Sequence, residues 1–319
     1  MLFRSDNMPS WEEIRIESMD IDAARSVFQE FELFNLMKPL DDVRALYSTG
    51  DEPAREERSR NYTVVKHIPE LIELVETLKT KQMVAFDLET TSLDVLTTEI
   101  VGLSFAWEAN SAVYIAVKYP NPPDGCFTPD DIGIVLRELK PFWDSETIKK
   151  TGHNLKFDLS VLKSYGIDVT GVGFDSQIAG YLVNPGGRGY GMNDLSVQYL
   201  GIDPIHIEEL IGKGKEQITM DLVTLDVISE YAAEDADISF QLYDILSEKI
   251  EKDQLNSVLD DIDLPLIPVL MDMEREGTFV DAGILNDMSA SLGKELVRLE
   301  KAIFEEAGEE FNVASPRQV

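Results

Sequence analysis

An α/β layer architecture, a mixed sheet packed by helices, is predicted by the order in which hydrophobic periods occur along the 319 residues. Short β-rich runs come first, between residues 62 and 117, and helical stripes follow from about residue 130. The connections between the later stripes are rich in Gly and Pro, which separates them into distinct helices.

Ile21, Ala24, Phe28, Phe31, Phe34 and Met37 recur at spacings of three and four and predict an amphipathic helix over residues 20–40, closed by Pro39. Residues 48–61 contain no large apolar side chain and read as a solvated linker. The residues before it are too few for a core of their own and read as a helical arm. Tyr62–Val65 is expected to be a short strand, and Ile68–Leu78 a helix with Leu71, Leu74, Val75 and Leu78 on one face. Met83-Val84-Ala85-Phe86 is a buried-strand run that ends in charge, and Ile100–Ala106 and Ala112–Val117 are two further strands. Asn121–Gly125 is a loop. Helices are expected over 130–142, 154–165, 175–183, 193–199 and 221–251. From about Asn256 the chain is helical again, with a stripe through Ile262, Leu266, Val269 and Met273. A second stripe runs through Leu285, Met288, Leu292, Leu296, Leu299 and Ile303 to Gly308. The last residues, Ser315–Val319, carry no terminating feature, so an interrupted chain is expected.

No run approaches the eighteen apolar residues of a membrane span, and no secretory pattern follows Met1. The single cysteine, Cys126, excludes an internal disulfide and a zinc site of paired cysteines. These features point to the cytoplasm. Sixty acidic residues against 28 basic ones give a formal charge of −32, which should repel nucleic acid at long range.

Three acidic clusters weigh against that charge argument. In Phe86-Asp87-Leu88-Glu89, residues i and i+2 of an extended strand point the same way, so two carboxylates project together. Such a pair repels unless a cation or proton lies between its members; a solvated strand end is the plain alternative. In His153-Asn154-Leu155-Lys156-Phe157-Asp158, Asn154 and Asp158 share a helical face, although an N-cap and a first-turn acid would read the same. In Tyr231-Ala232-Ala233-Glu234-Asp235, Tyr231 and Asp235 share a face, as they also would on an ordinary acidic helix. Four carboxylates from one strand and two helices suit hard cations such as Mg²⁺ or Mn²⁺.

Taken together, the order Asp-x-Glu, Asn-x-x-x-Asp, Tyr-x-x-x-Asp, with 71 and 77 residues between successive aspartates, resembles the DEDD exonuclease superfamily in its tyrosine subtype. The resemblance extends through VGLSFAWEANSAVYI, GHNLKFDLSVLKSYGI, IGKGKEQIT, YAAEDADISFQL and LPLIPVLMDMEREGTFVD to the proofreading exonuclease domain of the bacterial DNA polymerase I family and the start of its polymerase domain. It implies a ribonuclease H-like mixed sheet flanked by helices, followed by a helical thumb-like segment. The boundaries it implies are a 5′-nuclease tail over 1–47, a linker over 48–61, the exonuclease over 62–253 and truncated thumb helices over 254–319. The palm aspartates of a polymerase would lie beyond Val319.

By the same resemblance, Asp87 would bridge two divalent cations, Glu89 and Asp235 would complete the first site, and Asp158 would hold the second, directly or through water. Tyr231 and Glu89 would orient the attacking water. Thr90 would hold the 3′-hydroxyl end, Leu93 would wedge against the terminal base and Asn154 would hold a phosphate. The implied partners are a single-stranded DNA 3′ end and the remainder of the polymerase chain, with no membrane and a monomeric state. Two positions depart from the pattern. Ile207 stands where the family carries a stacking aromatic, and the arginine before Met192 is displaced by one residue to Arg188. Lys149, Lys150, Lys156, Lys213 and Lys215 are the basic residues near the motifs, as phosphate ligands or as solvated surface groups. A catalytically silent scaffold is the alternative from another class. An RNA trimmer of ribonuclease D type is a third reading, disfavoured by the long segment after Asn256.

Overall fold

The computed structural model describes residues 24, 27, 28, 59–187 and 189–318. The predicted arm, except residues 24, 27 and 28, and the predicted linker, except residues 59–61, lie outside the described residues, as does Arg188. Two compact units are present, divided between Met271 and Asp272.

The first unit is built on a five-stranded mixed sheet of order β1-β4-β3-β2-β5. Its strands are β1 (Asn61–Val65), β2 (Met83–Thr90), β3 (Ile100–Glu108), β4 (Ser111–Ala116) and β5 (Lys149–Thr151). β2, β3 and β4 form an antiparallel meander, and β1 and β5 join its two edges in parallel. The β-rich runs of the sequence thus become β1 to β4. β5 is an addition, because Lys-Lys-Thr carries no strand signal.

One face of the sheet is covered by α1 (Ile68–Leu78), α2 (Ile132–Glu138), α3 (Lys140–Trp143) and α4 (Leu155–Ser164). Val84, Phe86 and Leu88 of β2 enter that core beside Leu71, Leu78, Phe142, Trp143, Leu155 and Leu162. Phe86 meets Trp143 edge to face at 5.4 Å. Such aromatic pairs add about 0.5–1.5 kcal/mol beyond the area they bury.

α5 (Ser176–Val183), α6 (Met192–Leu195), α7 (Ile207–Ile211) and α8 (Leu225–Lys252) complete the helical part of this fold. α8 lies on the second face of the sheet. Ala233 and Ala236 pack on Ala85, Ala106 and Ala112, and these small side chains let the helix approach the strands closely. A Leu or Phe at any of these positions would push α8 away, by the steric cost of overpacking. Predicted helix 193–199 is α-helical only to Leu195 and continues as a π turn over Ser196–Leu200. Predicted helix 221–251 starts at Leu225, because Val223 is extended after a separate 3₁₀ turn over Met220–Leu222.

α9 (Leu264–Glu276) follows, and its Ile267 is buried in the first core. The second unit holds α10 (Ala282–Ala307), capped at its start by Asp281 and at its end by Gly308 in the left-handed region at φ 76°. No residue of α10 is buried.

Candidate active site

Alternation along β2 settles where the first two acids point. Val84, Phe86 and Leu88 belong to one core, while Ala85 belongs to the layer under α8. Asp87 and Glu89 continue the Ala85 set and therefore face α8. Asp235 descends from α8 to meet them. One carboxylate oxygen from each of Asp87, Glu89 and Asp235 lies within 4.8 Å of the other two. Tyr231, one helical turn before Asp235, hydrogen-bonds its carboxylate.

Asp158 arrives separately, from the first turn of α4. Its Oδ1 accepts the Leu88 backbone N–H at 3.2 Å. Along β2, β5 pairs with Met83, Val84 and Ala85, so Leu88 lies beyond the end of that ladder. The turn from β5 into α4 also approaches β2 closely. A Cβ on Gly152 would lie 2.9 Å from the Phe86 carbonyl oxygen and 2.5 Å from Leu155, so only glycine fits there.

The electrostatics of this group are unbalanced. Burial pushes Asp87 up to about 7. Burial, and then the charges of Asp87, Asp235 and Asp158, raise Glu89 well above the usual carboxylate range. Asp158 and Asp235 are raised by burial and then by Asp87. Glu89 Oε1 is buried without a hydrogen-bond partner among the described residues. A buried acceptor left bare costs about 1–3 kcal/mol, and more when charged. An all-oxygen donor set with one orphaned oxygen fits a hard divalent cation. Tyr231 is held far above the ordinary phenol range by burial and then by Asp235, Glu89 and Asp87, so it stays a hydroxyl donor.

The residues expected to touch substrate are placed as follows. Asn154 occupies the N-cap position of α4 but its side chain makes no capping bond, which overturns the plain reading of it as a cap. Its backbone is left-handed, φ 58° and ψ 45°, a conformation that Asn tolerates better than most residues. Asp175 caps in its stead. Asp175 is buried and accepts from Leu155 N at 2.7 Å and Asn154 N at 3.4 Å, and from Gln177 N and Ile178 N at the start of α5. Thr90 Oγ1 donates to Ser92 O at 3.0 Å. Leu93 is 88% exposed on a loop stitched by Asp94 and Thr98. Ile207 is the first residue of α7 and is 42% exposed.

One lysine reading needs correction. Lys150 is fully buried in β5, donates Nζ to Ser145 O and lies over the Phe142 ring at 5.0 Å, and burial lowers it to about 8. It is part of the core and no surface phosphate ligand. Lys149, Lys213 and Lys215 are exposed. The sequence reading also missed Asp175, although an Asp directly before the apolar run of α5 is an N-cap signal. It likewise gave Glu234 and Asp237 no role of their own. Both are buried and fully bonded.

Sheet and flanking helices make a ribonuclease H-like fold, with a strand-borne acid pair facing α8. The chain belongs to the 3′-5′ exonuclease family, whose sequence profile matches residues 62–251. It is 34% identical over 304 residues to DNA polymerase I of Pseudomonas aeruginosa, covering 93% of this chain and 33% of that protein. DNA polymerase I of Rhizobium leguminosarum is 34% identical over 273 residues, 81% of this chain and 27% of the relative. The chain thus spans about a third of the length of these curated relatives. Among solved structures, the POL domain of Pol1 from M. smegmatis in complex with DNA primer-template and dNTP aligns with a TM-score of 0.60 at 20% identity, over 80% of this chain and 39% of that one. Brucella melitensis NrnC bound to pGG aligns with a TM-score of 0.51 at 17% identity, over 71% and 99%. These two alignments speak to the fold.

Proposed function

We propose that residues 62–253 form a two-metal-ion 3′-5′ exodeoxyribonuclease that releases 5′-mononucleotides from DNA 3′ ends. It would be the proofreading part of a DNA polymerase I acting in replication and repair. The observation that carries this reading is the convergence of Asp87, Glu89 and Asp235, with a buried Glu89 oxygen that no group among the described residues satisfies. Asp87, Glu89 and Asp235 would hold one Mg²⁺ or Mn²⁺, and Asp158, beside Asp87, would hold the second. Two such cations, when bound, lower the pKa of water and stabilise the charge that develops on a leaving oxygen.

The chain supplies the remainder. Tyr231, held by its hydrogen bond to Asp235, and the Glu89 carboxylate would orient the attacking water. Leu93 would separate the terminal base from its neighbour. Thr90 would meet the 3′-hydroxyl end, and Asn154, freed from capping, a phosphate. Arg188 would take a second phosphate, and Ile207 would face a base with weaker stacking than an aromatic gives. Residues 1–47 and 254–319 fit the tail of a 5′-nuclease domain and the first thumb helices of a longer cytoplasmic, monomeric polymerase chain. No helix among the described residues is long and apolar enough to cross a membrane.

The test is incubation with 5′-labelled single-stranded DNA and Mg²⁺ or Mn²⁺. A ladder shortening from the 3′ end, abolished by EDTA, is expected. A folded protein that leaves the DNA intact with both metals would instead indicate a silent scaffold.

A further inference from the structure

Glu234 and Asp237 flank Asp235 in sequence and are each 2% exposed, against 8% for Asp235 itself. Three acids within four residues of one helix are buried, yet they serve different neighbours. Asp237 Oδ2 accepts from the Tyr62 hydroxyl at 2.7 Å, and Oδ1 accepts from Asn110 N and Gln241 Nε2 at 2.8 Å. It ties α8 to β1 and to the turn between β3 and β4. Glu234 Oε1 accepts from Arg60 Nη2 at 2.5 Å, and Oε2 accepts from Ile205 N at 2.6 Å. It joins the residue before β1 to the segment that leads into α7.

That segment lies against the helix that carries Asp235. Leu210 and Ile211 of α7 pack, as Tyr231 does, against the apolar cluster that contains Ala232 and Ile228 of α8. Ile207, two residues after the bonded Ile205, is its exposed apolar side chain. α8 is already fixed on the sheet by Asp237 and by Ala233 and Ala236 on the strand alanines. Asp235 therefore keeps its place without Glu234. The Ile205 bond has a different consequence, because it holds the 203–211 segment against the helix that carries Asp235.

We propose that Glu234 is a positioning residue that anchors the 203–211 segment against α8 and thereby sets the grip on a single-stranded substrate, leaving the cleavage step to the four acids. The part concerning substrate rests on the exonuclease reading. Arg60 neutralises the buried Glu234 charge, so removing Arg60 alone would strand that charge, whereas Arg60 without Glu234 still has Glu230 at 3.9 Å. The informative variants are therefore Glu234→Met, the double variant Arg60→Met with Glu234→Met, and Glu234→Gln. The double change replaces both ions by apolar groups of similar length, which preserves folding in comparable pairs. Glu234→Gln keeps an oxygen for Ile205 N.

In the full chain, both Met variants should raise KM for oligothymidylate about tenfold, the size expected for losing a charge-assisted hydrogen bond, with kcat within about twofold. Cleavage of a nitrophenyl ester of thymidine 5′-monophosphate, too short to reach α7, should stay unchanged. Amide hydrogen exchange should quicken over 203–211 and hold steady over 225–252, and Glu234→Gln should restore most of both readouts. An equal fall in kcat on both substrates would overturn the proposal, since Glu234 would then be holding Asp235. Unaltered exchange over 203–211 in the double variant would overturn it as well. Should the unsubstituted chain cleave neither substrate, the exonuclease reading falls, and the exchange data alone decide whether Glu234 anchors the segment.

Discussion

Helices α8 and α10 are nearly equal in length, 28 and 26 residues, and both carry a regular apolar stripe, but they are buried in opposite ways. α8 buries Glu234, Asp235 and Asp237 along with its apolar residues. α10 leaves Leu285, Met288, Leu292 and Leu296 exposed, the last at 66%. The difference shows that periodicity announces a helix without saying what it packs on. Burial in α8 comes from the sheet below it, where alanines let it settle until its acids reach fixed partners. Buried acids with partners are structural, as for Glu234 and Asp237. A buried acid with an oxygen left bare among the described residues, as for Glu89 beside Asp87 and Asp235, marks chemistry.

The sharpest way to break this comparison is to remove one acid of the carboxylate cluster. Asp158→Ala should lower the cleavage rate on the order of a thousandfold or more, about 4 kcal/mol of transition-state stabilisation, in the labelled-oligonucleotide assay. Thermal stability should hold or rise, because a like charge has been removed from the cluster.

Metal and pH come next. At a hundred times its Kd, Mn²⁺ should stabilise the domain by about 2.7 kcal/mol, roughly 5 °C or more in Tm by calorimetry. In EDTA the sign of the pH dependence follows from Asp87, whose folded pKa of about 7 lies above its ordinary 3.8. The folded state binds the extra proton, so the stability it contributes is complete below pH 3.8 and is lost as pH rises through about 7. Tm in EDTA should therefore fall between pH 5.5 and 8. A rise over that range would mean that the carboxylates are not in conflict.

Smaller effects sharpen the comparison. Ile207→Phe restores a stacking face, and base stacking at about 1–3 kcal/mol predicts at least a fivefold lower KM for single-stranded DNA with kcat unchanged. At the bottom of the range, Leu296→Lys on the exposed stripe of α10 should alter unfolding free energy by no more than about 0.5 kcal/mol in urea titration. A loss of several times that would show the stripe to be packed.

Much of this was readable in advance, and what was not has physical causes. β1 to β4 announce themselves by β-branched and aromatic runs, and Asp87 with Glu89 by the two-residue period of a strand. β5 stayed hidden because its order comes from the neighbouring β2 and not from Lys149, Lys150 or Thr151. α7 stayed hidden because five residues are too few for a period. Strand order is a long-range property that no local pattern encodes. Asp175, Glu234 and Asp237 look like any surface acid in sequence, and only the partners that the fold delivers (Leu155 N, Ile205 N and Asn110 N) reveal their roles.

Asp175 has a consequence for how the domain comes apart. One carboxylate closes the first turns of both α4 and α5, so neither helix can fray at that end without disturbing the other. The amides of Leu155 and Ile178 should consequently exchange with solvent in a single opening event of common free energy. The helix that brings Asp158 to the site would then open together with α5.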